Sequence, residues 1–448
     1  MSTIDIPREQ WATRAGFILA AVGSAVGLGN IWRFPFLTGE SGGAVFVAVY
    51  LLLVALVGLP VMLVEFVIGR RSERNPIGAF RRLGHPSWKF AGVIGALAGF
   101  IILSYYSVVG GWVLQYIVAS FTGGYGGDAE TFFLQTASGT NAIVYHAIFM
   151  ALVAGIVSLG VREGLERAAK VMVPSVVILL VGLAAYGATL PNASEGYQFY
   201  LNPDVGTFVS DAVSILPAAA GQAFFTLSLG MGVMITYSSY LGEDRNLLSD
   251  SLIIVAIDTF IALLAGLVVF PFLASQGVDL ETGGGGAGAV FISLAGAFET
   301  MPAGNIVGGI FFIMLAIAAL SSAFSILEVV VSFVIDTFGV GRVPATIGLS
   351  VVIFLFGIPT ALDLNYLDAY DLFANNILLI VGGLVLSIFI GWIYASDALE
   401  ELGQGRSGGG PFDTYWITVV RVVVPLVLLY TVYLAIVEYV EFIQGTFL

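Results

Sequence analysis

Gly23-Ser24-Ala25-Val26-Gly27-Leu28-Gly29-Asn30 interrupts the first long apolar run of the chain. Gly221-Gln222-Ala223-Phe224-Phe225-Thr226-Leu227-Ser228-Leu229-Gly230-Met231-Gly232 interrupts the sixth. Glycines alone in such runs are compatible with close helix packing. Here Ser, Asn, Gln and Thr are interleaved with them at mid-span, and unwound backbone at that depth is tolerated only when buried in protein or lining a cavity. The two segments lie five spans apart, and repeating an odd number of spans inverts the second copy. Interrupted helices at matching positions of two inverted halves point to a binding site at the centre of a transporter.

The surrounding composition fits a membrane protein. Of 448 residues, 58% are hydrophobic and 10% charged, against roughly 25% charged in ordinary soluble domains. A span needs about 20 apolar residues. Candidate spans fall at 13–36, 43–69, 90–121, 142–160, 169–190, 212–241, 247–275, 304–338, 343–361, 370–395 and 414–443. The expected fold is all-α and polytopic, with 11 transmembrane helices, a 5+5 inverted repeat and broken helices 1 and 6. Residues 1–190 would form the first repeat, 191–396 the second, and 397–448 a loop and an additional helix. Met1 to Gln10 is polar, and the first run is too long for a signal-peptide core. Fifteen of the 16 Lys and Arg residues are read as lying in the N-terminus or in alternate loops, leaving Arg33 within the first run. The loops carrying Arg70, Arg71, Arg74, Arg81, Arg82 and Lys89, and Arg162, Arg167 and Lys170, belong in the cytoplasm. The expected product is a multi-pass plasma membrane protein with its N-terminus cytoplasmic and its C-terminus extracellular.

Zero cysteines excludes disulfides and thiol chemistry. His85 and His146 are expected to be solvated or interfacial. Net charge is −14. Such an acidic surface stays soluble in high salt and suggests a halophilic source. Nucleic acid is excluded as a partner by the lack of an extended basic patch. No organic cofactor is implied, and oligomeric state is open. The stretch Ala289 to Phe298 reads either as a lid or as an ordinary surface loop helix.

Trp11-Ala12-Thr13-Arg14, followed by Gly23 to Asn30 and then Ile31-Trp32-Arg33-Phe34-Pro35, resembles the neurotransmitter:sodium symporter family, in its prokaryotic amino-acid members with the leucine-transporter fold. Gly221 to Gly230, Leu320-Ser321-Ser322 and Asp368-Ala369-Tyr370-Asp371 extend the resemblance through most of the chain. It implies a sodium-coupled symporter working by alternating access, with an amino acid as substrate and the bilayer as its setting.

The same resemblance implies a set of contacts. The substrate carboxylate would meet backbone at Ala25, Val26, Gly27, Leu28 and Gly29 and the hydroxyl of Tyr106. The amino group would meet carbonyls of Ala25, Phe225 and Thr226 and the Ser228 region. Val26, Ile102, Phe225, Met231, Ser322 and Ile326 would line the side-chain pocket. Monoamine members carry Asp where this chain has Gly27, so the substrate should bring its own carboxylate. The pocket offers no ionic partner, and burying an unpaired charge is expensive, so a neutral hydrophobic or aromatic amino acid is expected. Met231 stands where some relatives carry Phe, and its flexible thioether makes the pocket adaptable.

Two Na+ sites are implied. Sodium, a hard cation, takes oxygen ligands. One set is the Ala25 carbonyl, Asn30, Thr226, Asp258 and the substrate carboxylate. The other is the carbonyls of Gly23, Val26 and Ala318 with the hydroxyls of Ser321 and Ser322. Vicinal serines on their own more often bond back to the preceding turn. Asp258 departs from the Asn of animal members. Its fixed charge implies chloride independence, with Asp258 either a plain sodium ligand or a proton acceptor on the return step. The gates would be Arg33 with Asp371 outside, above a lid of Tyr106 and Phe225, and Arg8 with Asp336 inside, braced by Trp11 and Tyr240. Glu65 is expected to bond the broken backbone of the first or sixth span, and Glu328 is unassigned. A channel would need a continuous polar lining. An enzyme would need a nucleophile–base pair or metal cluster. A proton-driven carrier on the same fold is the third alternative.

Overall fold

The first interruption ends one helix and starts another in a new direction. α1 (Arg14–Ala25) and α2 (Gly29–Glu40) are bent by 46° at the residues between them. This is a computed structural model, which describes residues 10–203, 205–275, 277, 280, 288–406 and 410–447. Among these residues every regular element is a helix. Among the described residues, nine helices are long and apolar enough to cross a bilayer. They are α3 (Ala44–Ser72), α4 (Pro86–Thr122), α5 (Thr140–Ser158), α6 (Val161–Gly187), α9 (Leu247–Ser275), α11 (Gly304–Phe338), α12 (Arg342–Leu362), α13 (Leu364–Ile393) and α14 (Pro411–Phe447). The bent pair α1–α2 makes a tenth. The sixth expected span is split into α7 (Val205–Thr226) and α8 (Val233–Ser238). Together the pieces form the fold expected of a polytopic helical protein. α10 (Ala289–Thr300) lies between α9 and α11.

Packing follows polarity. α1 sits among α6, α9 and α11, and α11 runs along α4. Outward faces of α5, α6, α12 and α14 carry exposed apolar side chains such as Ile178, Val351 and Leu426. This is the pattern of a surface solvated by lipid, where an apolar side chain carries no penalty.

Three expectations need correction. Arg421 lies inside α14, ten residues from its start, so Arg33 is not the only cation within a span. Arg14 opens α1. His146 is neither solvated nor interfacial: it is fully buried, stacks on Phe354 at 4.7 Å and places Nε2 3.1 Å from the Phe354 carbonyl. Gly357 makes that possible, since a Cβ there would sit 2.9 Å from the ring nitrogen. α10 is not a solvated loop helix either. Phe291, Leu294 and Phe298 are buried, with Phe291 against Trp32, Trp112 and Phe312.

Candidate functional site

The first break frees backbone groups that side chains then satisfy, as any buried polar group requires. Val26 leaves the helical region at φ −75°, ψ 106°. Gly27 N–H donates to Asn30 Oδ1 at 3.0 Å, and Leu28 N–H donates to the Tyr106 hydroxyl at 3.2 Å. Ser228 and Ser322 donate to the Ser24 carbonyl at 3.0 and 2.9 Å. Gln222 donates to the Gly29 carbonyl at 2.8 Å. Gly27 is held too tightly for a side chain: a Cβ would lie 2.2 Å from Ser322 Oγ and 2.8 Å from the Tyr106 oxygen. At Gly29 a Cβ would meet the Phe225 ring at 2.9 Å.

The second break spans residues 227–232. Ser228, Gly230 and Gly232 adopt φ of 53°, 77° and 79°. Gly230 passes so close to α13 that a Cβ would lie 2.0 Å from the Leu379 carbonyl. Its N–H donates to Glu65 Oε1 at 2.7 Å. Glu65 thus serves the sixth segment's broken backbone. Gly95 and Gly99 of α4 let Met231 and Ile326 approach, and Ile102 is buried one turn before Tyr106 on the same helix.

The oxygen donors expected around one cation come together. Asn30 Nδ2 donates to Asp258 Oδ1 at 2.8 Å, and the Thr226 hydroxyl lies 3.2 and 3.1 Å from the two Asp258 oxygens. All three residues are buried. The second set also converges. Ser321 bonds back to the Ala318 carbonyl at 2.9 Å and reaches Val26 O at 3.4 Å, while Ser322 reaches Val26 O at 3.3 Å. Gly23 packs on Ser321. Both serines therefore reach the first break, and Ser321 also bonds back to its own turn.

Above the site, Arg33 lies 3.8 Å from Asp371, donates to Gln222 at 3.1 Å and sits 5.4 Å over the Phe225 ring. Tyr105, not Tyr106, donates to Asp371, at 2.8 Å. Below, Trp11 donates its indole N–H to the Tyr237 carbonyl at 2.9 Å and meets the Tyr240 ring edge-on at 6.1 Å. Asp336 accepts from the Asn75 side chain at 2.8 Å. Arg8 lies outside the described residues. Glu328 is engaged by Arg342 at 2.7 Å and by the Tyr240 hydroxyl at 2.7 Å.

Ser325, Tyr105 and Asn376 escaped the sequence reading, and Ser24 and Gln222 served there only to mark the breaks. Ser24 Oγ lies 2.7 Å from Ser325 Oγ and 3.1 Å from Ser228 Oγ, and Asn376 accepts from Arg33 at 3.4 Å. The available signal was spacing: Ser325 falls one helical turn after Ser321 and Ser322, on nearly the same face.

Discontinuous helices facing each other across a buried cluster of oxygen donors, within a bundle of long apolar helices, define a multi-span secondary transporter. A family model for the sodium:neurotransmitter symporter family matches residues 8–129 and 134–447, and the chain belongs to that family. The crystal structure of MhsT in complex with L-phenylalanine superposes with a TM-score of 0.88 at 42% identity, covering 96% of this chain and 99% of MhsT. The uncharacterized sodium-dependent transporter YhdH of Bacillus subtilis is 36% identical over 444 residues, 94% of this chain and 96% of YhdH. The sodium- and chloride-dependent GABA transporter ine of Drosophila melanogaster is 28% identical over 90% of this chain and 49% of its own length. The protein is a sodium-coupled membrane symporter rather than an enzyme.

Proposed function

We propose that this symporter imports a neutral hydrophobic or aromatic amino acid, coupled to two Na+, without chloride. The observation that carries the reading is Gly27, wedged against Ser322 and Tyr106 with no room for a carboxylate side chain. The acid must come from the substrate. Leu28 N–H and the Tyr106 hydroxyl, 3.2 Å apart, are the groups that would exchange their mutual bond for the substrate carboxylate. The phenylalanine bound to MhsT supports the same substrate class.

The Ala25 carbonyl, Asn30, Thr226 and Asp258 would hold one ion together with the substrate carboxylate. Gly23, Val26, Ala318, Ser321 and Ser322 would hold the other. A carboxylate shared between ion and substrate couples the two affinities reciprocally. Asp258 supplies the negative charge that chloride would otherwise bring. Residues 1–190 and 191–396 act as inverted repeats, with 397–448 added, and the broken sixth segment crosses as an eleventh span. Rocking of the repeats opens Arg33–Asp371 on the outside and Arg8–Asp336 on the inside in turn. The N-terminus is cytoplasmic and the C-terminus extracellular, by the distribution of loop cations.

The test is uptake into proteoliposomes across a panel of amino acids. Leucine, methionine, phenylalanine or tryptophan should accumulate with sodium outside, and not when potassium or choline replaces it. Replacing chloride with gluconate should leave the rate unchanged. Preference for glutamate or lysine would defeat the substrate assignment, and collapse in gluconate would defeat chloride independence.

A further inference from the structure

Arg421 sits inside a membrane-crossing helix, and among the described residues no carboxylate forms an ion pair with it. The other intramembrane cation, Arg33, has Asp371, and the cations Arg14, Arg70, Arg342 and Arg406 have Asp250, Glu401, Glu328 and Asp413. Among the described residues Arg421 has one side-chain hydrogen bond, Nε to the Gly391 carbonyl at 2.7 Å, and its guanidinium lies 5.7 Å from the centre of the Trp392 ring. Both terminal nitrogens are left for another acceptor. The arrangement is built. Pro425, four residues on, has no N–H to give the Arg421 carbonyl, and the Trp392 indole donates to that carbonyl at 3.1 Å instead. Gly391 lets the helices touch, since a Cβ there would lie 3.0 Å from the Arg421 Cα. Trp392 is 64% exposed and is the penultimate residue of α13. Exposed tryptophans at helix ends mark the headgroup depth of a bilayer. Arg421 is thus fixed at headgroup depth, flanked by the lipid-facing Val422 and Leu426.

We infer that Arg421 and Trp392 form a binding site for the phosphate of an anionic membrane lipid at the seam of α13 and α14. A cation at headgroup depth is drawn to anionic lipid, and a guanidinium presents paired donors to a phosphate. The alternative, an arginine that merely reaches for water, predicts no choice among lipids. The test uses full-length protein in phosphatidylcholine liposomes doped with brominated phosphatidylglycerol or brominated phosphatidylcholine. Quenching of Trp392 is read as the difference between wild type and Trp392→Phe. Phosphatidylglycerol should be preferred by about fivefold, the scale expected for one basic side chain near anionic lipid. The preference should fall to parity in Arg421→Gln and persist in Arg421→Lys, with folding checked by retained sodium-dependent uptake. Excess inorganic phosphate should leave it intact, which separates a lipid from free phosphate. Native mass spectrometry from a mixed-lipid sample should show phosphatidylglycerol retained by wild type and lost from Arg421→Gln. Equal quenching by both lipids in wild type, or abolition by free phosphate, overturns the assignment.

Discussion

The two helix breaks are held open by different chemistry. The first is satisfied by neutral donors and acceptors: Asn30, Tyr106, Ser228, Ser322 and Gln222. The second leans on a buried carboxylate, Glu65, bonded to Gly230 N–H. Neutral hydrogen bonds of about 1 kcal/mol net are readily exchanged for a ligand. A carboxyl oxygen that accepts from backbone N–H in a dry interior is not, because losing it strands a buried donor. The comparison assigns exchange to the first break and support to the second.

The strongest way to break this contrast is Gly27→Asp. Forcing a side chain into the space held by Ser322 and Tyr106 should cost about 3 kcal/mol or more. Amino-acid affinity in a scintillation proximity assay should fall by about two orders of magnitude while the folded fraction is retained. Next is Glu65→Ala, which strands Gly230 N–H and should lower stability by roughly 1–3 kcal/mol. A drop in the thermal unfolding midpoint would register it, and Glu65→Gln, which keeps an acceptor, should drop less. If Glu65→Ala left the midpoint unchanged while abolishing sodium binding, the supporting role would be wrong. Asn30→Ala should weaken sodium and substrate together, each by about tenfold, because coupling energies of 1–3 kcal/mol act in both directions. Titrations of each ligand at fixed concentrations of the other would show it. The smallest effect belongs to Tyr105→Phe, which removes one bond to Asp371 worth about 1 kcal/mol. Substrate release to the outside should quicken a few-fold in dissociation kinetics.

Much of the fold was legible because hydrophobic run length and glycine placement are local properties. The apolar runs became helices, and the positions of the breaks were readable from Gly27 and Gly230 amid polar neighbours. The cluster of Asn30, Thr226 and Asp258 was reached through resemblance, and the three residues do meet. What escaped notice did so because its meaning depends on a distant partner. Tyr105 and Tyr106 are adjacent and chemically identical, yet one bonds Asp371 and the other the first break. By charge pattern alone Arg421 counts among the loop cations and His146 among the solvated or interfacial residues; packing puts the first against Gly391 and the second against Phe354.

Sequence by itself determined that the chain crosses a membrane many times and where two of its helices must break, because burying apolar side chains and freeing glycine backbone depend only on residues near in the chain. Tertiary structure decided which partner closes which break, including the choice of the sixth segment over the first for Glu65. Ser24 meets Ser325 across 301 positions and Gly230 meets Glu65 across 165. A buried donor accepts whichever partner the packing brings within about 3 Å.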